Sequence, residues 1–214
     1  ESNNTVTFAD VAGCEEAKEE VAELVEFLRD PSKFQKLGGR IPRGLLLVGP
    51  PGTGKTTLAE VVASTTHRAF ERLSAVTSGV KDVREAIERA TERLGQHGRS
   101  TIVFVDEIHR FSTSQQDALL PSVESGIITL IGATTENPFF EVNAPLRSRS
   151  TLFRLEPLTV GDITQLLQRG VVAEGVSIDD DALALLAQRS GGDGRQSLTA
   201  LEVACALARP NIVS

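Results

Sequence analysis

The run Gly49-Pro50-Pro51-Gly52-Thr53-Gly54-Lys55-Thr56 constrains this 214-residue chain more than any other segment. It fits G-x-x-x-x-G-K-[ST] and stands between a short, continuously apolar stretch, Gly44 to Val48, and a stretch with helical signals, Thr56 to Thr65. A loop in that position turns successive backbone N–H groups inward around phosphate oxygens, with the positive end of the following helix behind them. Lys55 then reaches the β- and γ-phosphates of a nucleoside triphosphate, and the Thr56 hydroxyl serves Mg2+. The contacts to bound nucleotide are expected from Pro51, Gly52, Thr53, Gly54, Lys55, Thr56 and Thr57.

The rest of the chain supplies the strands and helices that such a loop requires. Phe70 to Ser74, Thr101 to Val105, Ile127 to Ile131 and Thr151 to Leu155 are brief apolar runs that read as strands. Helical periodicity lies between them, with Val80, Val83, Ile87, Ala90 and Leu94 on one face and Ser114 to Val123 forming another helix. Five strands joined by crossovers predict a mainly parallel sheet with helices on both faces. After Pro157 the pattern becomes helical only, over Asp162 to Arg169, Asp180 to Gln188 and Asp193 to Ala208. The expected organisation is an α/β nucleotide-binding domain over 1–156 and a small all-helical domain over 157–214.

A second chemical signal is Thr101-Ile102-Val103-Phe104-Val105-Asp106-Glu107, a hydrophobic strand ending in two carboxylates. Adjacent side chains at a strand tip can take different tasks. Asp106 suits the Mg2+ shell, and Glu107 suits the general base that polarises an attacking water. Beside the phosphate loop, the pair predicts hydrolysis as well as binding. The three histidines, His67, His97 and His109, are scattered and no H-E-x-x-H occurs, so a zinc peptidase is excluded on this chain. His109 is expected as a solvated residue at a helix start, the alternative being that it couples to the site beside Glu107.

Composition limits the remaining classes. The formal charge is −7, from 22 Lys+Arg and 29 Asp+Glu, which argues against gripping nucleic acid by bulk charge. The acidity is local: Glu15 to Asp30, an amphipathic helix by its periodicity, carries seven acids and two bases. No apolar run approaches the ~20 residues of a membrane helix. Cys14 and Cys205 stand far apart and read as free thiols in a reducing compartment, which with the soluble character gives a cytoplasmic expectation. The chain has no Met and no signal-like start, as a processed, trimmed or engineered chain would.

Taken together, the phosphate loop, the strand ending in Asp106-Glu107, the later Thr134-Thr135, an arginine after a short helix and an all-helical tail resemble an AAA+ ATPase. The resemblance implies Mg-ATP, with ADP as product, bound between the α/β domain and a helical lid. It implies that Thr135 is sensor 1, orienting the lytic water. Arg149 in Leu146-Arg147-Ser148-Arg149-Ser150 corresponds to the arginine finger reaching a neighbour's site, with Arg147 as the alternative, and Arg195 in Gly192-Asp193-Gly194-Arg195 corresponds to sensor 2.

Two AAA+ families share the likeness. From Thr7-Phe8-Ala9-Asp10-Val11-Ala12-Gly13 to Val48 the chain resembles the ATPase module of the membrane-bound protease FtsH, which implies adenine contacts at Val11 and Ala12. From Thr57-Leu58-Ala59-Glu60 onward it resembles the RarA (MgsA) replication-associated recombination ATPases. Ser74 to Lys81, Asp106 to Phe111, Ser114 to Ala118 and Gly132 to Pro138 carry that second likeness. The switch falls within the shared phosphate loop, so the chain reads as a hybrid.

The resemblances imply partners as well. A trans finger requires self-association, weakened here by the absence of the RarA family's C-terminal assembly region, and DNA is a partner by family likeness. No membrane contact is expected from this chain. The FtsH family's aromatic pore motif is missing, since Ser74 to Lys81 contains no aromatic residue. The alternatives to a RarA-like ATPase are a nucleotide-binding module with little turnover and an FtsH-like remodelling motor without its peptidase.

Overall fold

A computed structural model describes residues 22, 25, 26, 28 to 30 and 43 to 208. Val11, Ala12, Cys14, the 32–39 segment and most of the predicted helix over 15–30 lie outside the described residues. The remainder forms two compact units.

In the first unit, β1 (Gly44–Val48), β2 (Ala69–Ser74), β3 (Thr101–Asp106), β4 (Ile128–Thr134) and β5 (Ser150–Arg154) form one sheet in the order β2-β3-β4-β1-β5. Every pairing is parallel. The crossovers run through α1 (Lys55–Thr65), α2 (Val80–His97), α3 (Thr113–Ser125) and the short helices α4 (Pro138–Glu141) and α5 (Ala144–Ser148). A tight 3-10 turn, Ile108–Arg110, follows β3.

Burial follows strand order. The three central strands β3, β4 and β1 are covered on both faces, so apolar residues dominate them; the edge strands β2 and β5 mix buried and open positions. On one side, Leu46, Val103, Val105 and Leu130 pack with Val83, Ala86 and Ala90 of α2 and Leu119 and Val123 of α3. Phe104 is fully buried and stacks on Phe70 of the neighbouring strand, ring centroids 6.0 Å apart. Helix boundaries have local causes: the Ser112 hydroxyl accepts from Gln115 N while the Gln115 side chain accepts from Ser112 N, and Gly126, at φ 78°, ends α3.

Edge strand β2 is tied to α2 through charge. Glu71 accepts from Arg89 Nη2 at 2.7 Å and from Arg93 Nη2 at 3.2 Å. Burial pushes the Glu71 pKa up, but the hydrogen bonds and charges of Arg89 and Arg93 outweigh it and hold the carboxyl below its ordinary range. A folded pKa below the unfolded one stabilises the fold above the unfolded pKa, and that stability is lost as pH falls through the folded value. Glu71→Gln is therefore expected to lower the urea midpoint at pH 7. The gap to the parent closes as the medium is taken below about pH 4, the ordinary carboxylate range.

The second unit gathers α6 (Val160–Glu174), α7 (Asp180–Arg189) and α8 (Gly194–Ala208) around Leu158, Ile163, Leu167, Leu183, Ala187 and Leu201. Thr159 and Asp162 form a reciprocal capping box that starts α6. Pro50–Gly54 of the phosphate loop clusters with this unit: Gly194 N donates to Gly52 O at 3.0 Å. No helix among the described residues is long and apolar enough to cross a membrane.

Candidate nucleotide site

Parallel strands all deliver their C-terminal ends to one edge, and a ligand crevice forms where strand order reverses. Here β1 lies between β4 and β5, yet its chain continues to β2 at the far edge, so the end of β1 is such a point. The phosphate loop occupies it, bound to the next strand by Gly49 N donating to Thr134 O at 3.1 Å.

The loop's conformation fits a polyphosphate. Gly52 and Gly54 have φ of 72° and 89°, a backbone region open to glycine at little cost, and side chains at these positions would be strained. At Gly52 an added Cβ would also collide with the Asp193 carboxylate. Thr53 is buried and its hydroxyl donates to Pro50 O at 2.9 Å, closing the turn from inside. Lys55 Nζ donates to Gly49 O at 2.7 Å, which folds the ammonium back across the loop. Thr56 and Thr57 follow it, half-buried in the first turn of α1. Pro51 is exposed.

Asp106 ends β3, two strands from the loop, and Arg72 Nη2 of β2 lies 3.2 Å from its Oδ2. The Arg72 guanidinium also stands 6.0 Å from the Phe104 ring centroid, on the same stretch of the sheet. Glu107 has φ 53°, uncommon for a residue with a side chain and costing about 1–3 kcal/mol. Arg110 Nε is 3.4 Å from Glu107 Oε2. The two consecutive carboxylates have different partners, Arg72 for Asp106 and Arg110 for Glu107.

Thr135 is the first residue beyond β4 and is exposed; Thr134, one residue earlier, is buried at 1% exposure. Thr134 Oγ1 lies 2.9 Å from His109 Nδ1 and accepts from Glu136 N at 3.0 Å. The expectation of a solvated His109 is thus corrected. The ring is half-buried against β4, because the 3-10 turn folds back over the neighbouring strand instead of leading outward into a helix.

The two candidate finger arginines have different surroundings. Arg147 Nη1 donates to Phe139 O and Val142 O, both at 2.8 Å, and its guanidinium stacks 5.2 Å from the Phe139 ring centroid. It is a structural tie of the α4–α5 segment. Arg149 makes one ion pair, to Glu124 at 3.1 Å, with both side chains 44% exposed. Arg149 O accepts from Arg43 N immediately before β1, so Arg149 sits at the N-terminal edge of the sheet. Six residue steps along β1 to Gly49, at about 3.3 Å each, place it about 20 Å from the phosphate loop of its own chain. Arg195 is in the first turn of α8, beside a groove of about 700 Å³ that Asp193, Gln196, Ala200 and Val203 also line.

The site therefore joins Lys55, Asp106, Glu107 and the Thr134-Thr135 pair at the ends of three neighbouring parallel strands. Arg149 is left at the opposite edge. Sequence reasoning passed over Arg72 and Thr134 and preferred a solvated His109 to an engaged one, because each is defined by a partner distant along the chain. The only local signals were the threonine doublet and the histidine two places beyond Glu107.

A parallel α/β sheet with a phosphate-binding loop at the end of its first strand and two carboxylates at the end of its third defines a P-loop nucleotide-binding protein. Residues 45–157 match the family described as "ATPase family associated with various cellular activities (AAA)", and the chain belongs to that family. Replication-associated recombination protein A of Escherichia coli K12 is 51% identical over 166 residues, covering 74% of this chain and 37% of that protein. The ATP-dependent zinc metalloprotease FtsH of Cupriavidus metallidurans is 55% identical over 115 residues, covering 50% of this chain and 17% of that protein. The two matches must share at least about a quarter of this chain. The Thermotoga maritima RuvB Holliday junction branch migration motor superposes with a TM-score of 0.72 at 28% identity, over 92% of this chain and 63% of that one. The fold is thus that of an AAA+ ATPase, and the chain spans little more than a third of the length of its replication-associated relative.

Proposed function

We propose that this chain is an ATPase core that binds Mg-ATP and hydrolyses it to ADP and phosphate, in the service of a RarA-like role in DNA replication and recombination. The observation that carries it is the convergence of Lys55, Asp106, Glu107 and Thr135 at one edge of the sheet. Lys55 holds the β- and γ-phosphates, and the backbone N–H groups of Gly52 to Thr56 line the loop around them. Mg2+, held by Thr56 and Asp106, supplies charge neutralisation on the phosphates when bound. Glu107 takes a proton from water as its oxygen attacks the γ-phosphorus and the bond to ADP breaks, while Thr135 orients that water. Val11 and Ala12 contact adenine, and Arg195 acts from a lid over 157–214.

Arg149 is assigned to a neighbouring copy's site. Its place about 20 Å from its own loop supports action in trans, where an arginine stabilises charge developing in phosphoryl transfer. Self-association is therefore part of the proposal, and DNA is the proposed macromolecular partner by likeness to the replication and branch-migration relatives. The FtsH match beside the replication-associated one supports reading the chain as a hybrid of the two families, and the proposed join lies in the phosphate loop that both share.

Turnover measured against protein concentration tests the assignment. Specific ATPase activity is expected to rise with concentration, and Arg149→Ala is expected to hold it at the dilute value while nucleotide affinity is retained. A flat profile in the parent, with ATP still bound, favours a nucleotide-binding module with little turnover. Stimulation by unfolded polypeptide and not by forked DNA favours the remodelling motor.

A further inference from the structure

We propose that Thr134 and His109 form a clamp that positions Glu107, making both positioning residues for the hydrolytic step. The proposal rests on Glu107 being the general base.

Glu107 is held at φ 53°, and a non-glycine residue keeps such a conformation only where its surroundings impose it. Two side chains just beyond it supply that constraint, and both rest on β4. Ile108 is fully buried and fills the space above Gly132, where an added Cβ would stand 2.9 Å from Ile108 Cδ1. His109 Nδ1 meets Thr134 Oγ1 at 2.9 Å. Gly132 and Thr134 are two residues apart on one strand and share a face, so the turn has an apolar anchor and a polar one on the same surface. Arg110 N donates to Glu107 O at 2.8 Å and Phe111 N to Ile108 O at 3.0 Å, closing the turn on itself.

The polar anchor also couples two parts of the site. Thr134 immediately precedes Thr135, and its hydroxyl accepts from Glu136 N, so the same oxygen orders the backbone beyond β4 and the turn that carries Glu107. Thr134 is not placed to reach nucleotide as a ligand would: it is buried at the end of β4 and its hydroxyl is committed to protein partners. Losing the bond would leave the phosphate loop intact while releasing the base, and a displacement of about 1 Å in a catalytic group can cost about 100-fold in rate.

The test compares Thr134→Val, Thr134→Ser, His109→Ala and His109→Asn with the parent and with Glu107→Gln. Thr134→Val and His109→Ala are each expected to lower kcat by about 10- to 100-fold, with the Kd for ATP within about twofold of the parent. The double variant should be no worse than Thr134→Val alone, because the bond that His109→Ala removes is one that Thr134→Val has already removed. Thr134→Ser and His109→Asn keep a polar atom at the contact and should recover most of kcat. Amide exchange over 107–111 in the nucleotide-free protein should accelerate in Thr134→Val and stay near the parent rate in Thr134→Ser. Unchanged kcat in Thr134→Val, additive losses, or affinity falling in step with kcat would overturn the clamp. Turnover persisting in Glu107→Gln would instead overturn the assignment of the base, whatever the clamp variants do.

Discussion

Replacing Lys55 with alanine is expected to weaken ATP binding by about 100-fold or more while leaving the fold in place. Hydrogen bonds involving charged groups contribute about 1.5–3 kcal/mol each, and a lysine bridging two phosphates makes at least two charge-assisted contacts of that kind. Lys55 is half-buried in the first turn of α1, and its Nζ donates to a loop carbonyl, Gly49 O. Titration with a fluorescent nucleotide should show the loss, and thermal melting without nucleotide should show little change. An arginine at the same position keeps the charge but replaces a compact ammonium with a planar fork, so only part of the affinity should return. Retention of full affinity by Lys55→Ala would remove the phosphate loop from the site.

The second large effect belongs to Glu107. Glutamine keeps its size and hydrogen-bonding reach but cannot take a proton at neutral pH, so Glu107→Gln isolates the chemistry from the binding. General-base catalysis contributes about 10²- to 10⁴-fold, and kcat should fall by that order while ATP affinity stays within a few-fold. The strained φ of 53° is a backbone property that glutamine meets as glutamate does, so the turn should persist. The measurement is single-turnover hydrolysis with saturating protein beside equilibrium binding. Normal turnover would mean that another group activates the water, with the half-exposed Glu107 serving only its ion pair to Arg110.

The two experiments separate the site into parts that differ in how far they could be seen from the chain alone. The phosphate loop and the carboxylate pair are contiguous motifs, and the short apolar runs before them announced buried parallel strands. The structure places all five expected strands within a few residues of their predicted ends, extending the fourth to Thr134. That extension has a consequence: it buries Thr134 and leaves Thr135 as the first residue clear of the sheet. The doublet thereby divides into one residue engaged with protein and one exposed. The arginine pair divides in the same way, since only spatial neighbours distinguish Arg147, fixed by Phe139 and Val142, from the more open Arg149.

By itself the sequence determined the parallel α/β architecture, the helical tail, the phosphate loop and the presence of two carboxylates at a strand end. Those properties are written in residues adjacent along the chain, where apolar run length and glycine spacing fix local conformation. Only the tertiary structure decided that Arg72 faces Asp106, that His109 is tied to Thr134, and that Arg149 stands at the opposite edge from its own loop. These depend on the strand order β2-β3-β4-β1-β5, which makes neighbours of residues 25 to 34 positions apart and separates others by the length of a strand. Side-chain pairing across a sheet follows from that order, and local periodicity carries no record of it.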